Sequence, residues 1–324
     1  MKLHGIHHIT AIASDPQRNL DFYTELLGLR LVKRTVNFDD PSAYHFYFGD
    51  HVGTPGTILT FFPWPGARRG SRGTGQVVAT SFAINPAAIE YWRDRLKGWH
   101  VAAEEAPARF GETVIRFADP DGLLVELIGS ERRNADIESV AEDSAVPVEY
   151  ALGGFHCPTL ELQRASLTEQ LLNEVFGFEL VSEEAGRRRF AVDVNQPNKQ
   201  VDVVERSDGS FGHIAAGTVH HIAFRASTDQ EQQEWREKLA GLGFNVTPIV
   251  DRQYFHSIYF REPGGILFEI ATDAPGFATD ESVEQLGQSL KLPPQYEEHR
   301  PEIERILPPI SVEHHSAPAT ATQS

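Results

Sequence analysis

Two pairs of adjacent histidines are the residues of this chain most suited to chemistry. His7 and His8 lie in "GIHHIT", and His220 and His221 lie in "TVHHIAF". Apolar residues flank both pairs in the manner of β-strands, in which neighbouring side chains point to opposite faces. We therefore expect no more than one histidine of each pair to face a given side of a sheet, where it could bind a metal ion.

The elements that carry these histidines recur along the chain. In each copy a helical pattern ends at a glycine, which favours the left-handed conformation of a helix stop, and a large apolar residue then opens a strand. These glycines are Gly28, Gly98, Gly177 and Gly243. Helix caps are predicted just before two of the helices, at Ser14 or Asp15 and at Asn85, each followed by a proline.

One strand precedes each helix and several follow it, so the repeating unit is predicted to be βαβββ. The units cover approximately residues 5–64, 75–130, 150–206 and 217–273. The predicted fold class is α+β, with four βαβββ modules that form two cupped mixed β-sheets, followed by a C-terminal helical and extended tail.

The predicted domain organisation has four parts. Residues 1–130 are an N-terminal pair of modules, 131–149 an acidic linker, 150–273 a C-terminal pair of modules and 274–324 a tail. In the tail, "DESVEQLGQSLKL" predicts a helix and Pro-rich sequence follows. The last residues, which include His314 and His315, are predicted to be disordered.

Alignment of the first strands shows which histidines share a position in the repeat. His221 of the fourth unit aligns with His8 of the first unit and with Ala79 of the second. In the third unit Gly154 falls near this position, and His156 follows two residues later on the same face. The second histidine of each pair, rather than the first, therefore takes the matched place in units one and four.

Alignment of the last strands supplies candidate carboxylates. "DPDGLLVE" and "EPGGILFE" align without a gap, which gives Glu126 and Glu269 the same place in units two and four. Thr60 takes this place in the first unit. The third unit lacks the glycine marker, and its candidate is Glu205.

Only the combination of units one and four provides two histidines and one carboxylate, namely His8, His221 and Glu269. Two histidines and one carboxylate on one face, with coordination positions left open, suit non-haem Fe(II) and O₂. A glutamate at Thr60 would complete a four-ligand shell better suited to isomerisation on Zn or Ni. The threonine leaves room for substrate and O₂.

Other polar residues receive weaker predictions. Glu126 has no histidine partner, so a remnant or structural acid and a surface residue remain equal alternatives. His45 and the other histidines outside the matched positions receive no ligand role. Cys157, the single cysteine, is a poor candidate nucleophile because no base is placed beside it in the sequence.

Composition excludes several function classes. The net charge of −17 argues against a nucleic-acid partner, which requires clustered Lys and Arg. No apolar run approaches the ~20 residues of a membrane helix, and the N-terminus lacks the apolar region of a signal peptide. The lone cysteine fits a reducing compartment. We expect a cytoplasmic protein without membrane partners, and composition leaves its oligomeric state open, a homo-oligomer included.

These features resemble the vicinal oxygen chelate superfamily, which includes glyoxalases and extradiol dioxygenases. The chain is most similar to a branch of ring-cleaving dioxygenases that act on para-hydroquinones. The resemblance extends from "GIHHITAIASDPQRNLDFYTELLGLRLVKRTVNFDDPSAYHFYFGD" to the tail "LPPQYEEHRPEIERILPPI". It implies Fe(II) as the cofactor, bound by His8, His221 and Glu269, and a small aromatic substrate that reacts with O₂.

The resemblance also implies a pocket beside the metal, and it assigns residues to that pocket. Substrate-binding residues would be His7 and Thr10, and catalytic residues would be His220, Tyr259 and Arg252. His220 or Tyr259 would handle the proton of the second hydroxyl, and Arg252 would stabilise developing negative charge. Strict strand alternation would place His7 and His220 behind the sheet, so either the strand is irregular there or one of them supports a ligand by hydrogen bonding.

Two other functions remain open from the sequence. One is a glyoxalase-type isomerase or lyase that uses Zn or Ni. The other is a non-catalytic binder of quinones or antibiotics, for which the histidines would not be essential to ligand affinity.

Overall fold

In the computed structural model of the protein, the described residues are 1–131 and 144–312, and they form sixteen strands and five α-helices. Most of the predicted acidic linker and the end of the tail with His314 and His315 lie outside the described residues. The described parts follow the predicted repeat from end to end. The α+β fold class is therefore confirmed.

Each module is a strand, a helix and three further strands. The first module contains β1 (Ile6–Ala13), α1 (Pro16–Asp21), β2 (Arg30–Val36), β3 (Tyr44–Gly49) and β4 (Ile58–Pro63). The second contains β5 (Gln76–Ile84), α2 (Ile89–Gly98), β6 (Ala103–Arg109), β7 (Glu112–Ala118) and β8 (Leu124–Gly129). The third contains β9 (Phe155–Leu162), α3 (Ser166–Gln170), β10 (Glu179–Glu184), β11 (Arg187–Ala191) and β12 (Gln200–Glu205). The fourth contains β13 (Val219–Ala226), α4 (Asp229–Gly241), β14 (Val250–Asp251), β15 (Phe255–Arg261) and β16 (Leu267–Pro275), and α5 (Arg300–Ile306) follows in the tail.

The helix boundaries agree with the sequence signals except at one glycine. Asp15 caps α1 by accepting a hydrogen bond from the Arg18 amide. A π-helical turn at Phe22–Leu26 continues this helix almost to Gly28, which takes a left-handed φ of 70°. Gly98 was predicted to stop α2, but the helix includes it. His100 instead takes the left-handed conformation, with φ 56°, because the Val101 amide bonds back to the Leu96 carbonyl.

The two sheets do not follow the order of the modules along the chain. The first sheet has the strand order β14-β15-β16-β13-β1-β4-β3-β2, so it combines the fourth module with the first. The second sheet has the order β10-β11-β12-β9-β5-β8-β7-β6 and combines the third module with the second. The two modules of each sheet meet through one antiparallel pair, β1 with β13 and β5 with β9. The predicted division of the chain into an N-terminal pair and a C-terminal pair of modules stays a prediction. Each sheet contains one module from each pair.

Strand register defines equivalent positions in the four modules. Ala223 pairs with Glu269 and Ser81 pairs with Glu126, as the alignment of units four and two requires. In the third module Thr159 pairs with Asp202. The candidate Glu205 was therefore wrong, because Asp202 takes the matched place on β12.

The first-strand candidate in the third module was also wrong. Ser81 pairs with Cys157 across the junction of the second sheet, just as Ala223 pairs with His8 across the junction of the first. Cys157, rather than Gly154, therefore occupies the matched position. The misplacement arises because the third unit lacks the histidine pair that anchors the alignment.

The tail packs along the outer strand of the first sheet. "DESVEQLGQSLKL" was predicted to be helical, but it contains only a 3₁₀ turn at Val283–Gln285, and Leu290 forms a bridge with Arg34 of β2. Gly287 explains the extended path, because a Cβ atom there would lie 1.9 Å from the Leu31 carbonyl oxygen. The buried Lys33 ammonium, 2.5 Å from carboxylates of Asp280 and Glu281, ties this segment to β2.

Candidate metal centre

Three side chains converge where the first and fourth modules meet. The Nε2 atoms of His8 and His221 lie 3.3 Å and 2.9 Å from the Oε2 atom of Glu269. One ligand atom from each of the three residues lies within 4.8 Å of the others. All three residues are buried, Glu269 completely. Such a cluster of two imidazoles and one carboxylate has the spacing of a metal site with open positions.

The antiparallel junction of β1 and β13 brings these residues together. His8 pairs with Ala223 and Thr10 pairs with His221 across the junction, while Glu269 lies beside Ala223 on β16. His8 and Glu269 both lie beside Ala223, so they share its face of the sheet. His221 is two residues before Ala223 on β13 and therefore shares this face too. The three ligand candidates thus point into one cup. The repeat alignment predicted this convergence from residue spacing.

The Glu269 carboxylate provides the sharpest test of whether a cation fits. Ser257 donates a hydrogen bond of 2.5 Å to its Oε1 atom. Its Oε2 atom, the one between the two imidazoles, is fully enclosed, and among the described residues no group donates a hydrogen bond to it. An enclosed carboxylate oxygen without a donor is costly unless a cation completes its shell. The residues present therefore fit a bound metal ion.

His7 supports His8 from behind. Its Nδ1 lies 2.9 Å from the Nδ1 of His8, and its Nε2 lies 3.1 Å from the Thr272 carbonyl oxygen. Burial lowers the pKa of His7 well below its ordinary value, so the ring is neutral. The Thr272 carbonyl then fixes the proton of His7 on Nε2, and His7 Nδ1 accepts the proton of His8 Nδ1. This chain leaves the lone pair of His8 on Nε2, the atom that faces Glu269.

A strand irregularity allows the rings of His7 and His8 to contact each other although they are neighbours on one strand. The register of β1 against β13 shifts between Ile6 and His8, which is the position of His7. His7 is only 2% exposed and is absent from the wall of the adjoining cavity. The structure therefore places His7 behind a ligand candidate, whereas the family resemblance implied a substrate contact.

His220 has a different position from His7, although the pairs look alike in sequence. Its Nδ1 lies 2.8 Å from the Nδ1 of His221, so it too can orient a ligand candidate. Its ring, however, lines the cavity beside the cluster. Burial, with the nearby charge of His221, lowers the pKa of His220 to about 3. At neutral pH this imidazole is uncharged, and with its Nδ1 accepting from His221 its Nε2–H can donate a hydrogen bond to a bound molecule.

Burial and the neighbouring groups shift the pKa values of the residues in this cluster. Burial alone would raise the pKa of Glu269, but the neighbouring imidazoles, His8 foremost, hold it well below the ordinary value. Burial lowers the pKa of His221, and the Glu269 carboxylate offsets only part of this effect. Near neutral pH the site therefore offers an ionised carboxylate and an unprotonated His221, the forms that bind metal.

The cluster opens on a cavity of about 370 Å³. Aromatic side chains form much of its wall, together with three charged residues. The aromatic and charged residues of the wall are Phe38, Asp39, Asp40, Tyr47, Phe62, Trp64, Arg252, Phe255 and Tyr259. The size and the flat apolar walls suit a single aromatic ring.

Arg252 and Tyr259 are neighbours within this wall. The Arg252 Nε atom donates to the Tyr259 hydroxyl oxygen at 3.1 Å, and Arg252 also pairs with Asp39 at 3.2 Å. Burial raises the pKa of Tyr259, so its hydroxyl keeps its proton. Burial alone would lower the pKa of Arg252, but Tyr259 and Asp39 raise it, and the guanidinium stays charged.

Thr10 and Thr60 lie on the floor of the same cup. Thr10 lines the cavity, and the Thr60 hydroxyl donates to the Thr10 hydroxyl oxygen at 2.9 Å. Thr60 pairs with Thr10 as Glu269 pairs with Ala223, so it occupies the place of a second carboxylate. The repeat alignment assigned no role to the cavity histidine His45, whose Nε2 lies 2.9 Å from the Thr60 hydroxyl.

The second sheet builds a similar cup but fills it with arginine. Glu126 is fully buried rather than a surface residue, and the guanidinium of Arg109 donates to both of its oxygens. At the place of Thr60, Asp202 accepts from Arg189 at 2.7 Å. Burial raises the pKa of Cys157, so this thiol is unreactive as predicted. Protein cations here occupy the position that the first cup leaves open.

Comparison with protein families gives one match that extends over most of the chain. The model described as the "Glyoxalase/Bleomycin resistance protein/Dioxygenase superfamily" matches residues 5–127 and 169–270. None of the helices in the described parts of the chain has the length and apolar character needed to span a bilayer.

Several curated proteins and a solved structure match this chain over almost its whole length. The "putative ring-cleaving dioxygenase MhqO" of Bacillus subtilis is 48% identical over 96% of this chain and 98% of its own. The chlorohydroquinone/hydroquinone 1,2-dioxygenase of Sphingobium indicum is 35% identical over 94% of this chain and 96% of its own. The crystal structure of a "putative dioxygenase" from Bacillus subtilis has a TM-score of 0.91 and 46% identity, and it covers 97% of this chain and 99% of its own.

Proposed function

Because this chain belongs to the glyoxalase/bleomycin resistance protein/dioxygenase superfamily, we propose that it opens the ring of hydroquinones with O₂ at an Fe(II) ion held by His8, His221 and Glu269. Its full-length relatives carry the names of ring-cleaving dioxygenases, and the chain is an enzyme of this kind. The substrate class, the metal and the residue roles are our proposal.

The enclosed Oε2 atom of Glu269 carries this proposal. It lies between the Nε2 atoms of His8 and His221, two residues that line a cavity with aromatic walls, and among the described residues no group donates a hydrogen bond to it. Thr60, at the place of a second carboxylate, limits the protein ligands of this cup to three. Three protein ligands leave coordination positions for a phenol oxygen and for O₂.

The metal would supply two effects: it lowers the pKa of a coordinated hydroxyl, and it passes electrons from the ring to O₂. In the overall reaction the bond between a hydroxylated ring carbon and its neighbour breaks, and both oxygen atoms enter a semialdehyde acid. Hydroquinone and O₂ account for every atom of this product. No further reductant is needed.

The chain's own residues would orient the ring and manage protons. Phe62, Trp64 and Phe255 offer flat faces to an aromatic ring. His220 is neutral and reaches the cavity. Its Nδ1 accepts from His221 as His7 Nδ1 accepts from His8, so its Nε2–H can donate a hydrogen bond to a substrate oxygen, and the protonated Tyr259 can give a proton. Arg252 stays cationic beside Tyr259, where it can stabilise negative charge that develops on oxygen.

The proposal is tested by loading the protein with Fe(II) without oxygen and then measuring O₂ uptake. We expect uptake of one O₂ per hydroquinone consumed. The panel should also contain catechol and the thiol adduct of methylglyoxal. Turnover of the thiol adduct without O₂ uptake would contradict a dioxygenase and favour an isomerase or lyase. Hydroquinone binding that survives His8→Ala, without uptake in the wild type, would favour a binder.

A matched pair of variants separates the metal cup from the arginine-filled cup. Glu269→Gln should abolish Fe(II)-dependent uptake because it removes the charged ligand. Glu126→Gln changes the equivalent residue of the second sheet and should keep Fe(II) binding and uptake in the folded protein. Equal loss in both variants would contradict the assignment of the site to the first sheet.

A further inference from the structure

His45 is a cavity residue for which the repeat pattern gave no role. It lies on β3, and its ring packs between Tyr47 and Phe62, with centroid distances of 4.0 Å and 4.4 Å. The same ring lines the cavity that contains His8 and His221. Two aromatic neighbours therefore hold the imidazole plane in one orientation.

One nitrogen of His45 is fixed by the protein and the other is not. Nε2 lies 2.9 Å from the Thr60 hydroxyl, and Thr60 in turn donates to Thr10. With the Thr60 proton directed at Thr10, the Nε2–H of His45 donates to Thr60 and Nδ1 carries the lone pair. Within residues 1–131 and 144–312, Nδ1 has no hydrogen-bond partner, and it is not enclosed by neighbouring atoms.

Burial keeps this ring neutral. It lowers the pKa of His45 well below the ordinary value. A neutral imidazole has one N–H and one lone pair, and the N–H is used by Thr60. The cavity therefore contains a hydrogen-bond acceptor of fixed position.

Several other polar groups on the wall are already engaged within the protein. Asp40 accepts from Ser42 and from the Trp64 indole, and Arg252 donates to Tyr259 and Asp39. The Nδ1 atom of His45 differs from these groups in having no hydrogen bond within the described residues. His220, the other imidazole of the wall, is hydrogen-bonded to the ligand candidate His221 and lies close to the metal cluster.

A para-dihydroxybenzene has a need that matches this acceptor. With one oxygen at the metal cluster, its second hydroxyl lies at the opposite end of the ring, and a buried hydroxyl without a partner is strongly unfavourable. A catechol has no such requirement, because its two oxygens are adjacent and can both lie at the metal.

We infer that the Nδ1 atom of His45 accepts the hydrogen of the substrate hydroxyl remote from the metal, and that His45 thereby selects para-diols. This inference rests on the proposed function and assigns the residue that recognises the second hydroxyl. Thr60 then has a role of its own: it orients His45 by accepting its Nε2–H.

The test is ligand binding without turnover. The Fe(II)-loaded protein is kept anaerobic, and the dissociation constants of hydroquinone, phenol and 4-methoxyphenol are measured by calorimetry. The wild type should bind hydroquinone about tenfold more tightly than phenol, the effect of one hydrogen bond to a buried group. In His45→Phe this preference should disappear while the affinity for phenol changes less than about twofold. His299→Phe makes the same change at an exposed position and should keep the preference.

A preference for hydroquinone that persists in His45→Phe would overturn the inference. The wild type alone gives a second test that does not depend on the variant folding. The remote oxygen of 4-methoxyphenol has no hydrogen to donate, so this compound should bind no better than phenol. Binding as tight as that of hydroquinone would also overturn the inference.

Failure of the proposed function would look different. Wild-type protein that binds hydroquinone with the expected preference but consumes no O₂ would refute the oxidation and leave the role of His45 standing. Normal O₂ uptake with an unchanged preference in His45→Phe would refute only the role of His45. Wild-type protein that does not bind hydroquinone would refute both.

Discussion

Replacement of His7 by phenylalanine tests how the histidine pairs work. The aromatic ring and its contact with Phe255 would remain, but both nitrogen atoms would be lost. His8 would then have no acceptor for its Nδ1 proton, and the proton could move to Nε2, the atom that faces Glu269. Metal binding would have to displace that proton or restore the tautomer.

The size of the effect follows from the hydrogen bond that is lost. Loss of such a partner behind a metal-bound histidine typically costs about 10–100-fold in metal affinity, which corresponds to about 1.4–2.7 kcal/mol. We therefore expect His7→Phe to weaken Fe(II) binding by this factor. Because His7 is 2% exposed and absent from the cavity wall, the KM for substrate at saturating metal should change little.

The assay is an anaerobic titration of metal-free protein with Fe(II) against a competing chelator, followed by kinetics at saturating Fe(II). His220→Phe is the informative comparison, because its ring also lines the cavity and its loss should affect both metal and substrate binding. Unchanged metal affinity with a raised KM in His7→Phe would refute the reasoning and restore the substrate contact that the family resemblance implied.

Three further predictions concern the metal ligand, the arginine-filled cup and the tail. Ser257→Ala removes the donor to Glu269 Oε1 and should weaken metal affinity by roughly tenfold in the same titration, and an unchanged affinity would count against that hydrogen bond. Burial alone would raise the pKa of Glu126, but Arg109 lowers it from 4.5 to about 2, so its contribution to stability is present above pH 4.5 and is lost as the pH falls toward 2. This contribution is on the order of 3 kcal/mol. In Glu126→Gln the free energy of unfolding should therefore fall less steeply than in the wild type as the pH is lowered from 4.5 to 2. Lys33→Met leaves the carboxylates of Asp280 and Glu281 without their buried cation and should lower the free energy of unfolding in urea by about 3 kcal/mol, whereas a loss below about 0.5 kcal/mol would contradict a structural role for this pair.

The candidate site could be predicted because successive side chains of a strand alternate between its two faces. Alternation along β1 and β13, together with the gapless match of the last strands, is enough to group His8, His221 and Glu269. The same rule failed in the third module, where no histidine pair or glycine marker fixes the alignment. Cys157 and Asp202 were missed there for that reason.

Other features depend on contacts that strand periodicity does not encode. The role of His45 arises from its contact with Thr60 on the adjacent strand, and neither residue carries a signal of it. His7 contacts the ring of His8 because the register of β1 shifts at that residue, and the sequence gives no sign of this shift. The tail is extended where a helix was predicted because Gly287 packs directly on the backbone of β2.

One measurement tests the central claim most directly: the anomalous difference density of an Fe(II)-loaded crystal at the iron edge. We predict a single peak per chain, about 2.0–2.2 Å from His8 Nε2, His221 Nε2 and Glu269 Oε2, the range for imidazole and carboxylate ligands. The arginine-filled cup around Glu126 should show none. A peak bound by other residues, or a second peak in that cup, would contradict the account.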